Sequence, residues 1–210
     1  MFKRLKGALN TNRSTLTNMF WLTLNQFVLN VIPFLILPYL LIYLKPDGVG
    51  RIAYLQSFVS YFSLVVEYGF SISGTRKVAL KKDESEFLRK LFWNIFYARL
   101  LLFVISTFIF AFSVIYIHQL SVDVLLAFLM WGIVLANVFN ALWFFLGIGK
   151  LTAISIIQVV SKIIFLGLVL FKIKAPSDIS LYVVIYVLSN ICINHLFWTS
   201  KLLLFATNFI

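Results

Sequence analysis

Long apolar runs alternate with short polar segments along the whole chain. The runs cover about residues 15–44, 52–70, 91–117, 124–148, 151–171 and 179–200. Each has the roughly 20 residues that a helix needs to cross a hydrocarbon layer. Because lipid offers no hydrogen bonds, the backbone of such a segment must satisfy its own polar groups, as a helix does. The pattern predicts an all-α polytopic membrane protein, with six transmembrane helices forming a single lobe over residues 1–210.

The fifth run, TAISIIQVVSK and the apolar residues after it, carries a polar line that ends in a cation. Steps of three and four residues place Ser155, Gln158 and Lys162, with Thr152 before them, on one side of a helix. Lys162 lies near the middle of the run, where an unpaired charge is expensive and normally faces protein or a water-filled cavity. We interpret this line as the lining of a transport path.

Other runs carry polar side chains as well. They are Asn18, Asn25, Gln26 and Asn30 in the first run, Gln56, Ser60, Ser63 and Glu67 in the second, and Asn190 and Asn194 in the sixth. Such groups either hydrogen-bond a neighbouring helix or line a hydrated lumen, and the pattern leaves both interpretations open. Asn25, Gln26, Asn30, Gln56, Ser60, Asn190 and Asn194 are therefore candidates for lining a substrate cavity, together with Ser155, Gln158 and Lys162.

Two charges within the second and third runs each have two interpretations. Glu67 is a candidate for coupling to a proton or sodium ion, or it is a structural partner of Arg76 or Arg99. The guanidinium of Arg99 either snorkels toward the cytoplasmic side or binds phosphate oxygens in an inward-facing cavity.

Composition and charge define the class of protein. Hydrophobic residues make up 62% of the 210 residues and charged residues 12%, with a mean hydropathy of +1.00, which excludes a soluble domain of this size. The net charge of +11 comes from basic residues between apolar runs, without a basic soluble domain, so nucleic acid is not an expected partner.

The basic residues also predict the topology. With both termini in the cytoplasm, twelve of the 18 basic residues are cytoplasmic: Lys3, Arg4, Lys6, Arg13, Arg76, Lys77, Lys81, Lys82, Arg89, Lys90, Lys150 and Lys201. Four are external (Lys45, Arg51, Lys172 and Lys174), and Arg99 and Lys162 lie within runs. This bias follows the positive-inside rule.

We also expect a tight reversal at residues 45–50, which contain Pro46, Gly48 and Gly50, and a charged cytoplasmic segment at 74–90.

The residues of enzymatic and metal sites are scarce. One cysteine, two histidines and seven acids, mostly between the runs, leave little material for general acid-base chemistry or metal binding. The sequence contains no Walker loop, no HExxH motif and no Gly-x-Ser-x-Gly elbow. We expect a protein that is not an enzyme and has no metal or cofactor.

Three segments together resemble one family. They are KPDGVGRIAYLQSFVSYFSLVVEYGFSISGTRKVA (45–79), LWFFLGIGKLTAISIIQVVSKII (142–164) and KAPSDISLY (174–182). In this order they are similar to the O-antigen and polysaccharide flippases of the multidrug/oligosaccharidyl-lipid/polysaccharide exporter superfamily. The chain departs from the family pattern at Leu146 and Gly149, where relatives commonly have Gln and Glu.

The resemblance implies the function. Such flippases have two lobes around a central, often cationic cavity, and move undecaprenyl-diphosphate-linked oligosaccharide across the bacterial inner membrane by alternating access. The expected partners are this lipid-linked substrate, membrane lipids, a second lobe and polysaccharide polymerase machinery. The chain matches the amino-terminal lobe alone and ends in an apolar stretch, so we expect a half-transporter truncated before a second lobe. It is a fragment, a truncated gene product, or a subunit that needs a second lobe. Arg99 and Lys162 would offset the diphosphate charge.

Two alternatives remain. A multidrug or cation exporter of the same superfamily would need acids in its binding lobe, and Glu67 is the one deep candidate. A membrane assembly partner that transports nothing is also compatible with a half-length chain.

Overall fold

The structure is a computed structural model, which describes the backbone of residues 2–149 and 152–207. Side-chain surroundings are described for 19–149, 152, 155–192 and 194, so Asn18, Lys150 and Lys201 lie outside that set. The helices in the described part are α1 (Phe2–Tyr43), α2 (Lys45–Glu67), α3 (Phe70–Leu80), α4 (Ser85–Tyr116), α5 (His118–Val122), α6 (Val124–Val138), α7 (Leu142–Ile148), α8 (Thr152–Lys172) and α9 (Ile179–Thr207). A 3-10 turn, Pro176–Asp178, precedes α9.

Five described segments are long and apolar enough to cross a membrane. They are Met19–Tyr43, Lys45–Leu80, Ser85–Tyr116, Val124–Ile148 and Ser155–Lys172, and a shorter apolar segment covers Pro176–Cys192. The prediction of an all-α polytopic membrane protein is confirmed. The count of six spans stays a prediction, because in the sixth the apolar segment with described side-chain surroundings, Pro176–Cys192, is shorter than a full crossing.

The first two spans meet without the loop that the Pro and Gly residues suggest. Residues 45–50 are helical, and the reversal is confined to Leu44 and to Lys45, which has a φ of 63°. Pro46 occupies the first turn of α2, where a missing N–H costs no helical hydrogen bond. The expected tight turn at 45–50 is therefore absent, because these residues form the start of α2, where a helix tolerates proline.

The second span is broken at residues 68–69, five residues before the expected start of the charged segment. Tyr68 and Gly69 adopt left-handed conformations, with φ of 38° and 70°, and end α2. The chain then forms α3, so the charged segment at 74–90 is mostly helical and contains a turn at residues 81–84 between α3 and α4. We call residues 68–69 the α2–α3 break.

The fourth span is also broken, at residues 139–141, which we call the α6–α7 break. The backbone N–H groups of Phe139 and Asn140 donate to Ala136 O and Asn137 O at 3.2 Å. The Oδ1 of Asn140 accepts a hydrogen bond from the N–H of Leu142 at 3.0 Å, so it satisfies a donor in the first turn of α7.

Two apolar clusters hold the described helices together. The larger joins α1, α2, α4, α6, α8 and α9, and Phe110 stacks on Trp131 at its centre with 4.0 Å between ring centroids. The smaller joins α3, α7 and the start of α4 around Trp143, and we call α3 and α7 the inner pair. A Cβ added at Gly74 would lie 2.5 Å from the Trp143 ring, so this packing requires glycine.

An ion pair closes the opposite end of the bundle. Arg51 on α2 binds both carboxylate oxygens of Asp123, which precedes α6, with Nε 2.6 Å from Oδ2. The contact places these two residues at one end of the molecule. Arg51 is one of the residues predicted to be external, and Asp123 lies beside it at that end.

Candidate functional site

A cavity of about 390 Å³ lies between four helices of the larger cluster. Its lining comes from α1, α2, α8 and α9 and is mostly aliphatic and aromatic: Leu29, Ile32, Pro33, Ile36, Leu37, Leu40, Val49, Ile52, Ala53, Gln56, Lys162, Phe165, Tyr182 and Tyr186. This volume is within the range of small-molecule pockets, and an apolar wall with few polar groups is typical of them.

Lys162 supplies the charge in this lining. It is the eleventh residue of the 21-residue α8, so its backbone lies about 15 Å from either end of the helix. The ammonium Nζ lies 5.6 Å from the centroid of the Phe165 ring and 5.8 Å from that of Tyr186. Aromatic faces attract cations at such distances. The rings also hold the charged end of the side chain at the cavity.

None of the seven acidic side chains, all of which lie in the described part of the chain, forms an ion pair with Lys162. All seven acids lie in the described part of the chain, at helix ends or between helices: Asp47, Glu67, Asp83, Glu84, Glu86, Asp123 and Asp178. The ion pairs in the described part join Arg51 to Asp123, Lys81 to Glu84 and Lys90 to Glu86. A cation in the membrane interior without an acidic partner costs several kcal/mol by order of magnitude and attracts an anion.

Neutral polar groups complete the cavity. Gln56 and the tyrosines Tyr182 and Tyr186 bring an amide and two hydroxyl groups to it. Pro33 has no N–H, so the carbonyl of Leu29, four residues earlier and also in the lining, lacks its usual helical donor. The cavity thus combines one ammonium with donors and acceptors suited to hydroxylated ligands.

The polar line of α8 faces α1 before it reaches the cavity. Asn25 Nδ2 donates to Gln158 Oε1 at 2.6 Å, and Ser155 is buried. At the other end of the same contact, the hydroxyl of Tyr39 lies 2.8 Å from the carbonyl oxygens of Leu170 and Ile173. These bonds fix α8 against α1 on both sides of Lys162.

The remaining amide and hydroxyl candidates lie away from the cavity. Gln26 and Asn30 are exposed and contact each other at 3.4 Å, and the exposed Ser60 donates to Ser57 O. Asn190 donates to the carbonyl of Tyr186 in its own helix, whereas the buried Asn194 donates to Ala136 O at the end of α6. Of the predicted residues, the cavity therefore brings together Lys162 and Gln56.

Arg99 and Glu67 lie near the helix breaks and do not belong to the cavity lining. The side chain of Arg99 is 2% exposed and donates to backbone carbonyls of the α6–α7 break. Glu67 is exposed and accepts a hydrogen bond of 2.5 Å from Ser71. Phosphate binding by Arg99 and ion coupling by Glu67 stay predictions.

Three aromatic residues of the site were not predicted from the sequence: Phe165, Tyr182 and Tyr186. Aromatic residues in apolar runs usually contact lipid or the protein core, so their residue type alone did not indicate a site. The spacing held a signal, because Phe165 is one helical turn from Lys162 and Tyr182 is one turn from Tyr186.

Residues 15–201 match the family described as "Polysaccharide biosynthesis protein". The chain belongs to this polysaccharide biosynthesis family. The match covers every described residue of the cavity and confirms the resemblance to O-antigen and polysaccharide flippases. The chain is therefore a helical, multi-pass membrane protein of this family.

Two relatives carry the name "Putative O-antigen transporter". The protein of Escherichia coli (strain K12) is 25% identical over 177 residues, which cover 82% of this chain and 42% of the relative. The protein of Shigella dysenteriae is 28% identical over 148 residues, or 70% of this chain and 37% of the relative. The family member described here thus spans about two fifths of the length of these relatives. No solved structure matches it significantly.

Proposed function

We propose that this chain forms the amino-terminal lobe of a flippase that moves undecaprenyl-diphosphate-linked oligosaccharide across the bacterial inner membrane. The observation that carries the proposal is Lys162, an ammonium in a membrane-interior cavity with aromatic neighbours and no acidic partner among the described side chains. Family membership and the named O-antigen transporters support the substrate class.

The diphosphate of the substrate binds at Lys162. Its negative charge replaces the missing carboxylate, and the low polarity of the surrounding rings strengthens the attraction. Gln56 and the tyrosine hydroxyls hydrogen-bond the sugar next to the diphosphate, while the polyprenyl chain stays among lipid acyl chains. The cavity is too small for a complete oligosaccharide, so the outer sugars extend toward the second lobe that completes the transporter.

Alternating access then follows from exposing this anion site to one leaflet at a time. The amino terminus is cytoplasmic, so the basic turn between α3 and α4 faces the side on which the lipid-linked sugar is made. The chain catalyses no bond change in this scheme, which agrees with relatives named as transporters.

Transfer of a fluorescent undecaprenyl-diphosphate-linked sugar between leaflets of proteoliposomes tests the proposal. The full-length gene product should accelerate transfer between leaflets. Lys162→Met should abolish most of this acceleration, and Lys162→Arg should retain more of it because the charge remains. Lys172→Met, which removes an exposed lysine at the end of the same helix, is the matched control. Efflux of a cationic dye without lipid transfer would favour a multidrug exporter, and neither activity would favour an assembly partner.

A further inference from the structure

The breaks in the second and fourth spans lie on two sides of one arginine. The α2–α3 break separates α2 from α3, and the α6–α7 break separates α6 from α7. Arg99, on the unbroken α4, donates through Nη2 to Ser71 Oγ at 3.2 Å, two residues beyond the first break. It donates through Nη1 to Asn140 O at 2.6 Å and to Asn137 O at 3.4 Å, at the second break.

Both acceptors are backbone carbonyls at the α6–α7 break, and Asn137 O also accepts the N–H of Asn140. The last carbonyls of a helix have no intrahelical donor and carry the negative end of the helix dipole. The guanidinium of Arg99 supplies donors and a positive charge to this end of α6. Asn194 supplies a further donor to Ala136 O at 2.9 Å, so two neighbouring helices compensate for the interruption of α6.

The contact on the other side reaches the last residue of α2. Ser71, which accepts the hydrogen bond from Arg99, donates its own hydroxyl to Glu67 Oε1 at 2.5 Å. Arg99, Ser71 and Glu67 thus form one chain across the α2–α3 break. The guanidinium is buried, and its Nε has no hydrogen-bond partner in the described structure. A charge held in this way is costly, so its contacts at both breaks are the compensation for burying it.

The segments beyond the two breaks pack on each other. In the inner pair, Thr75 Oγ1 donates to Trp143 O at 2.9 Å. A Cβ added at Gly147 would lie 2.6 Å from Val78 Cβ, which shows how closely the two backbones approach. The inner pair therefore packs in the smaller cluster together with the start of α4. It is joined to α2 and α6 through two breaks that both contact Arg99.

We propose that the inner pair is a rigid unit hinged at the two breaks, and that Arg99 is the positioning residue that fixes this unit against α4 and α6. This role goes beyond the proposed function and requires no substrate. It also differs from the phosphate contact expected from the sequence, because the hydrogen bonds of Arg99 go to acceptors within the protein. Movement of the unit requires these hydrogen bonds to exchange partners together.

Backbone amide exchange in lipid nanodiscs tests the proposal on the whole chain. Hydrogen bonds from charged groups contribute about 1.5–3 kcal/mol, which corresponds to at least roughly a tenfold change in local opening. Arg99→Gln should therefore raise exchange at least about tenfold in residues 67–73 and 136–142. Residues 74–80 and 143–148 should keep their protection, because the contacts within the inner pair remain.

Three further variants separate positioning from general stability. Ser71→Ala should raise exchange at residues 67–73 alone. Arg99→Lys should protect residues 136–142 better than Arg99→Gln does, yet leave residues 67–73 open, because a single ammonium cannot span both breaks as a guanidinium does. Arg51→Gln, which removes the ion pair at the opposite end, should leave both breaks unchanged.

Two results would overturn the proposal. Unchanged exchange at both breaks in Arg99→Gln would show that Arg99 holds neither of them. A uniform rise over all described helices, equal in Arg99→Gln and Arg51→Gln, would show that Arg99 contributes to overall stability alone. Neither result bears on lipid transfer, so the hinge and the proposed function fail independently.

Discussion

Asn25 on α1 and Gln158 on α8 are joined by a hydrogen bond of 2.6 Å between Nδ2 and Oε1. Gln158 lies one helical turn before Lys162, so this bond sets the rotation of α8 that directs Lys162 to the cavity. The pair shows how polar side chains can position a cavity without lining it. The two amides fix α8 against α1, and the ammonium of Lys162, one turn away, supplies the charge of the cavity.

The Asn25 and Gln158 amides are expected to stabilise the α1–α8 contact as a pair. Asn25→Leu leaves Gln158 without its donor and should lower the free energy of unfolding by about 0.5–2 kcal/mol. The double change Asn25→Leu with Gln158→Leu should recover part of this loss, since no unpaired amide remains. Thermal unfolding of the parent protein, the two single variants and the double variant in detergent measures this double-mutant cycle. Strict additivity of the two single changes would contradict the coupling.

Glycine is required where the inner pair packs most closely. Gly147→Ala would place a methyl group 2.6 Å from Val78 Cβ and 2.9 Å from Thr75 O, and should cost about 1–3 kcal/mol of stability. Gly167→Ala in α8 is the matched control, because a Cβ there meets nothing within 4 Å. Urea or thermal unfolding in the same detergent compares them. Equal effects of the two changes would show that the α3–α7 contact is looser than the structure indicates.

Asp178 should make the start of α9 sensitive to acid. Its Oδ2 accepts hydrogen bonds from the backbone N–H groups of Lys174 and Ala175, each at 2.9 Å, which lower the pKa of the carboxyl below its ordinary value of 3.8. A lowered folded-state pKa stabilises the structure above pH 3.8, and this contribution is lost as the pH falls through the folded-state value.

Amide exchange at residues 174–179 is the measurement for this prediction. Exchange, corrected for its intrinsic pH dependence, should rise as the pH is lowered below about 4. Asp178→Ala should show the raised exchange already at neutral pH, with no further increase on acidification. A variant that behaves as the parent protein at all pH values would show that the carboxylate does not hold this turn.

The sequence predicted the spans well because hydrophobic length is a direct physical requirement of the bilayer. Runs predicted at 124–148 and 151–171 correspond to segments found at Val124–Ile148 and Ser155–Lys172. It did not predict the two breaks, because neither contains proline, the usual signal of an interrupted helix. Gly69, with its φ of 70°, was the local sign of the first break, and Asn140 of the second.

The candidate site was only partly predictable. Periodicity placed Lys162 and Gln56 on polar sides of their helices, and the structure brings both to one cavity. Periodicity cannot show whether an amide side chain faces a cavity, a neighbouring helix or the backbone of its own helix, since each of these can supply its hydrogen-bond partner. Asn194 shows the limit, because its partner, Ala136 O, lies next to a break that the sequence did not reveal.

Binding of a short-chain polyprenyl diphosphate to the purified protein tests most directly whether Lys162 is the anion site. We expect Lys162→Met to weaken binding by about tenfold or more, equivalent to about 1.4 kcal/mol, whereas Lys162→Arg retains most of the affinity and Lys172→Met all of it. Thermal unfolding of each variant confirms that the fold is intact. Equal affinity of the parent protein and Lys162→Met, or an equal loss in Lys172→Met, would contradict the account.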